Sequence, residues 1–364
     1  MRARHTALVF AVVSTSATSC SRDKSEQATA TATASASVSA PASVSAPASA
    51  PASAPASAPA SASAPASASA SASASASVHD ELRLARITSA SVVGWNRPGV
   101  LAVTLALASS PEPASAFVFL AVDQNPIGFR RPLAFEKLGA ALGMRVVPAT
   151  ALRRISTGEL GRLFAASADL RDYFGAHAAV QNDGTVDALV MAPSRGERAS
   201  AFRSPKGREL SLDSSIEAKT WAQAVASLEP NPAENPELLR DYVEALVLDY
   251  LSGNVLRRVV FLDEQGSALH LTSNDSAFPS KVDPRALDLL LARLRPVKRF
   301  PRGLRAALSK LDRAAARELL APSAFTDWLV SPRTLVDLDE RRKSVLTLVE
   351  ARIGESGEAR VLCL

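Results

Sequence analysis

Residues 28–78 are almost entirely Ala, Ser, Pro, Thr and Val, and this tract decides where the chain can fold. Its repeated Ser-Ala-Pro-Ala units contain no aromatic residue and show no apolar periodicity. Such a segment cannot bury enough surface to offset its ordering entropy. Proline recurs too often for the alanines to build a helix. The expected state is a semi-rigid, polyproline-II-rich tether, reaching on the order of 100 Å or more at about 3.1 Å per residue. Any core must come from residues 79–364, which suffice for one large lobe or two small ones.

The segment before the tether reads as an export signal over residues 1–19. Arg2, Arg4 and His5 form a positive start, Thr6–Val13 a short apolar core, and Ala17-Thr18-Ser19 a small-residue stretch before Cys20. The apolar run is too short to span a bilayer. Small residues followed by Cys and then a polar linker (20–78) resemble a bacterial lipobox, although Ala17 stands where Leu is usual. The resemblance implies cleavage before Cys20, a lipid on its sulfur, and a membrane-anchored protein facing the periplasm or the cell exterior. Multiple acyl chains would make that anchor stable.

Charge narrows the function classes. Lys and Arg number 41 against 36 Asp and Glu, for a net charge of +5. No basic stripe with interleaved aromatics occurs, so nucleic acid is not an expected partner. The cluster Arg293, Arg295, Lys298, Arg299, Arg302 and Arg305 is read first as a solvated helix–loop face, and second as an anion-binding surface. With 2 Cys, Cys20 and Cys363, no disulfide scaffold is possible. Four His and no Cys-x-x-Cys give a structural zinc site no support. Trp95, Trp221 and Trp328 read as core or boundary aromatics.

Periodicity places strands at Val100–Leu107 and Ala116–Val122 and a helix at Pro132–Leu142 stopped by Gly143. Met144–Thr150 reads as extended and 153–178 as helical. Thr185–Met191 reads as a strand after the Asp183-Gly184 turn, and 194–213 as a polar surface loop. Helices are expected near 215–228 and 235–252, the second with a broad apolar face. A hairpin follows, Val255–Leu262 and Ser267–Thr272 around Asp263-Glu264-Gln265-Gly266. The expected helices beyond it are 284–295, 301–310, 312–321, 323–329 and 338–353. The fold class is thus α+β, with a small β-rich part over about 79–192 and a mostly helical part over about 214–364.

Three segments carry a more specific likeness. They are Leu133-Ala-Phe-Glu-Lys-Leu138 with Leu142-Gly-Met-Arg-Val-Val147-Pro148, then Asp249-Tyr-Leu-Ser-Gly-Asn254, then Asn274-Asp275-Ser-Ala-Phe278-Pro279. In order and spacing they resemble the αC helix, catalytic loop and metal-binding segment of the secreted kinase-like proteins. Those are the four-jointed and Golgi casein-kinase type, related to type II phosphatidylinositol 4-kinases. The resemblance implies a two-lobed protein-kinase-like fold after the tether.

The same resemblance implies lost chemistry. Phosphoryl transfer needs positive charge and metal on the phosphates and a group that positions the acceptor. The family's catalytic Asp falls on Leu256, its metal-binding Asp on Ser273, its αC Glu near Arg131, and its strand Lys near Leu120–Val122. Groups that act as a unit leave little when several are removed. Asn254 and Asn274 remain as candidate cofactor-binding residues, and Asp275 as a metal candidate through a shifted register. Asp249 is read as a structural residue of the loop, and Asn254 as one that caps the loop or holds it in the left-handed region. Glu136 could replace the αC Glu only from another helix face.

Three readings follow. The first is an exported, lipid-anchored pseudokinase that binds or scaffolds an unidentified protein or glycan. The second is a residually active kinase taking ATP with Mg or Mn, if the cleft survives. The third is an unrelated α+β binding lipoprotein.

Overall fold

The computed structural model describes residues 78–364 apart from 94–98, 125, 127, 197, 272–273 and 323–327. The export signal, Cys20, most of the tether, Trp95, Ser273 and most of the helix expected at 323–329 lie outside the described residues.

The first half is built on a five-stranded antiparallel sheet. A short helix α1 (78–84) leads into β1 (Arg86–Val92), β2 (Val100–Ala106) and β3 (Ala114–Leu120). Helix α2 (Arg130–Ala141), β4 (Thr150–Ser156), α3 (Thr157–Leu163), α4 (Ala168–His177) and β5 (Thr185–Met191) follow, and the strands lie in the order β1-β2-β3-β5-β4. Alternation sets the buried face: in β2, Val100, Leu101, Val103 and Leu105 are buried. Helix α2 ends as expected, with Gly143 in the left-handed region at φ 67°.

Two expectations fail in this half. Thr150–Ser156 is a strand, paired along its whole length with β5 from Thr150↔Met191 to Ser156↔Thr185. Its apolar residues Ala151, Leu152 and Ile155 are interrupted by Arg153 and Arg154, which hides the alternation; the helical pattern begins only at Ser156, whose side chain caps α3. Residues 144–149 form no strand.

The connecting segment 194–213 is not a plain loop either. It contains the single-turn α5 (Arg198–Ala201) and strand β6 (Gly207–Ser211), which pairs with β7 (Val259–Asp263); β7 in turn pairs with β8 (Leu269–His270). Strand β6 is polar because it forms the exposed edge of this small sheet, so periodicity does not mark it. Residues 255–258, expected to open the hairpin, are loop.

The second half is helical: α6 (Ile216–Ala226), α7 (Pro236–Ser252), α8 (Pro284–Leu294), α9 (Leu304–Lys310), α10 (Arg313–Leu319), α11 (Pro332–Ser356) and α12 (Glu358–Val361). Helix α11 begins six residues before the position expected from periodicity, because Ser331 caps it and Pro332 opens it. No described helix is long and apolar enough to cross a membrane.

Helix α7 organises the interior. Asn235 caps it through the Glu237 and Leu238 N–H groups, and Gly253 closes it at φ 65°. Helix α2 reaches α7 because Gly139 has no side chain: a Cβ there would lie 2.7 Å from Val147 Cγ2 and 3.6 Å from Leu248 Cδ1. On its other side, Arg341 of α11 donates to the Leu251 carbonyl at 2.8 Å, satisfying one of the acceptors a helix end leaves open.

Candidate functional site

The three segments singled out in the sequence converge on one buried side chain, Arg257. The loop after α7 is set by Gly253, from which Asn254 N–H turns back to the Asp249 carbonyl at 2.9 Å. That turn aims Arg257 inward, where it is only 1% exposed. Its Nε lies 2.8 and 2.9 Å from the two Asp249 carboxylate oxygens, and a terminal nitrogen donates to Asn274 Oδ1 at 2.7 Å. Its guanidinium also stands 5.4 Å from the centroid of the Phe135 ring, presented by α2. One cation thus ties the α2 segment, the end of α7 and the 3-10 turn Asn274–Ser276 together.

This geometry gives the sequence candidates specific places. Asp249 is 1% exposed and engaged by Arg257; burial pushes its carboxyl up, while the guanidinium and a hydrogen bond from the Asn254 side chain pull it back. Asn254 is fully buried, but the left-handed residue of the loop is Gly253: among the described residues only Phe278 is a non-glycine at positive φ. Asn274 points its amide into the interior, donating from Nδ2 to the Leu271 carbonyl at 3.4 Å while accepting from Arg257. Asp275, next to it, is half-buried on the turn.

Phe278 carries the strain of the third segment. At φ 49° it occupies a region costing about 1–2 kcal/mol for an L-residue. Its N–H bond to the Ser252 carbonyl at 2.8 Å and its burial hold it there, pinning the segment to the end of α7.

Apart from Ser273, which lies outside the described residues, the remaining positions of the kinase pattern are placed as follows. Leu256, where the resemblance places the catalytic Asp, is 69% exposed. Leu120, Ala121 and Val122, where it places the strand Lys, are buried and apolar. Arg131, near the expected αC Glu, lies half-buried in the first turn of α2. Glu136 faces elsewhere: its carboxylate accepts from Thr150 Oγ1 at 3.4 Å and lies 3.6 Å from His79 Nε2. Burial pushes its carboxyl up, with His79 opposing.

Sequence reading missed two groups on α7. Asp241 and Glu244, both fully buried, join Asp249 on the interior of the helix. Asp241 is clamped by both terminal nitrogens of Arg195 from the connecting segment and accepts from Leu269 N–H at 3.1 Å. Glu244 takes Arg240 Nε at 2.7 Å and the Arg145 and Val146 N–H groups at 2.8 and 3.3 Å. Three acids among the apolar residues of one helix were the available signal. Three of the six cations in the cluster at 293–305 are ion-paired: Arg293 with Asp213, Arg299 with Glu234, and Arg305 near Glu350 and Glu358.

A five-stranded antiparallel sheet with one helix crossing to a helical half, joined by a connecting segment and a small second sheet, is a kinase-like fold. Three solved structures make the likeness more particular. Hydra Fam20 solved with sugar matches with a TM-score of 0.51 at 15% identity, over 78% of this chain and 90% of that one. The Golgi casein kinase with Mn/ADP bound gives 0.52 at 14% identity, over 79% and 78%. A second Golgi casein kinase structure gives 0.53, again at 14% identity over 79% and 78%. The chain therefore has the Fam20-type kinase-like fold. No family model and no curated protein matches it.

Proposed function

We propose that the chain is an exported pseudokinase, held at the cell envelope by a lipid on Cys20, that uses a kinase-like fold as a binding or scaffolding module. The observation that carries this reading is the loop Asn254–Arg257. A 69%-exposed leucine stands where the fold's chemistry asks for an acceptor-positioning carboxylate. Leucine neither accepts a proton nor orients a hydroxyl. The neighbouring Asp249, Asn274 and Arg257 satisfy one another in the interior, which suits a loop kept for its shape. The ligand class proposed is an extracellular or periplasmic protein or glycan.

The test combines nucleotide binding with transfer. The tether-free domain and the full chain are heated with ATP, with and without Mg²⁺ or Mn²⁺, and assayed for phosphate transfer to casein, peptides and glycans. The expected outcome is no transfer by the native protein, and none by Leu256→Asp, which restores only one of the lost groups. The Golgi casein kinase neighbour was solved with Mn/ADP, so a metal-dependent rise in Tm is the informative alternative. If that rise and measurable transfer both vanish in Asp275→Ala, the protein is an active kinase with a shifted metal ligand and the pseudokinase reading is lost.

A further inference from the structure

A cleft away from the loop just described lies between the connecting segment and the β7–β8 turn. It has a volume of about 710 Å³, and none of its lining residues belongs to 249–258 or 274–279. An adjoining hollow of about 250 Å³ shares Pro113, Phe202 and Arg203 with it.

Its wall is chemically uneven. Arg203 and Lys206 are exposed and carry no ion pair to a described residue. Arg195 also lines the cleft, but its charge is spent on Asp241. Among the acids, Asp263 is occupied by the Ser267 and Ala268 N–H groups and the Ser267 hydroxyl, leaving Glu264 at the mouth. Set into the same wall is His270, 8% exposed, with a buried Nδ1 that has no hydrogen-bond partner. A buried ring nitrogen left unmatched costs free energy. Hydroxyl and amide groups from Ser115, Ser204 and Gln265 complete the lining.

We propose that this cleft binds a small anionic ligand bearing hydroxyl groups, a carboxylate or a phosphate ester, through Arg203 and Lys206 with His270 in its wall. Two exposed cations supply charge-assisted hydrogen bonds to the anion. The imidazole and hydroxyls serve the uncharged part. The site does not depend on phosphotransfer and would operate in a catalytically inert protein.

His270 also supplies the readout. Burial, and then Arg195, hold its pKa below the ordinary value, with Asp263 and Asp241 opposing. An anion placed between it and Arg203 and Lys206 raises that pKa. With only four His in the chain, its ring signals can be followed by NMR. The full chain is titrated with inorganic phosphate, glucuronate and, as a neutral control, glucose. A rise in Tm together with a raised His270 pKa is expected for phosphate, glucuronate or both, and which one responds identifies the anion. Arg203→Gln/Lys206→Gln, at two exposed positions that leave the fold intact, weakens binding at least about tenfold. No change at millimolar phosphate or glucuronate, an equal response to glucose, or undiminished binding by the double variant overturns the proposal. An ATP titration of the same variant separates this site from the loop at Asn254.

Discussion

Replacing Arg257 by methionine tests how the loop is held. The side chain is 1% exposed, so its removal leaves Asp249, also 1% exposed, without its cation and Asn274 without its donor. Methionine keeps much of the volume and the contact with Phe135, so the cost is chiefly electrostatic. Breaking a buried pair by removing one partner costs about 3–5 kcal/mol, a large share of the ~5–15 kcal/mol that stabilises a whole fold. Urea denaturation followed by tryptophan fluorescence reads it directly, since Trp221 is buried beside α7. The companion variant Asp249→Asn/Arg257→Met removes both charges and should recover about 2 kcal/mol of the loss. The single variant should also respond to pH. With the cation gone, the Asp249 pKa rises further, so the folded state holds its proton more tightly than the unfolded chain. Stability then falls as pH rises through that raised folded pKa and recovers on acidification toward about pH 4. A single variant less than about 1 kcal/mol destabilised, or a double variant no better than the single, would refute the picture of a cation-centred loop.

Two further outcomes can be checked with the same measurements. Gly253→Ala places a Cβ 3.0 Å from Val282 Cγ2 on a residue at φ 65°, and should cost about 1–2 kcal/mol in urea unfolding; an unchanged midpoint contradicts the strain argument. Burial, reinforced by Arg195, lowers the pKa of His270 from 6.5, so the unfolded chain binds the extra proton first. Its contribution is complete above about pH 6.5 and is lost as pH falls through the folded pKa. His270→Gln should therefore flatten the fall in stability on acidification below about pH 6.5, and parallel curves for the two proteins contradict the assignment.

Legibility in the sequence followed dense apolar runs bounded by clear start and stop signals. Helix α7 is plain because Leu238, Leu239, Tyr242, Val243, Leu246 and Val247 recur at helical spacing between an Asn-Pro start and a Gly stop. Strand β5 matches its expected limits for the same reason, an apolar run behind an Asp-Gly turn. Strand β4 and the edge strand β6 did not show, because charged residues on their exposed faces break the period that marks a strand. The likeness to kinase-like proteins located the loop and the turn, and the fold agrees with it. It did not reveal Arg257 as their junction, since that depends on Phe135, Asp249 and Asn274 meeting across 139 residues of chain. The clamps on Asp241 and Glu244 were hidden likewise, because their partners come from separate segments.

Those clamps bear on how the protein comes apart. The interior of α7 holds three carboxylates, and the groups that neutralise or cap them arrive from the segment after α2, the connecting segment and the loop beyond Gly253. Melting the sheet half alone would strip Glu244 of its backbone donors, and releasing the connecting segment would strip Asp241 of Arg195. Each partial opening strips partners from a buried carboxylate, Glu244 keeping only Arg240 and Asp241 losing Arg195, which makes intermediates expensive relative to either end state. Sheet and helices are thereby coupled into one cooperative unit, so residues 78–364 should lose both in a single transition.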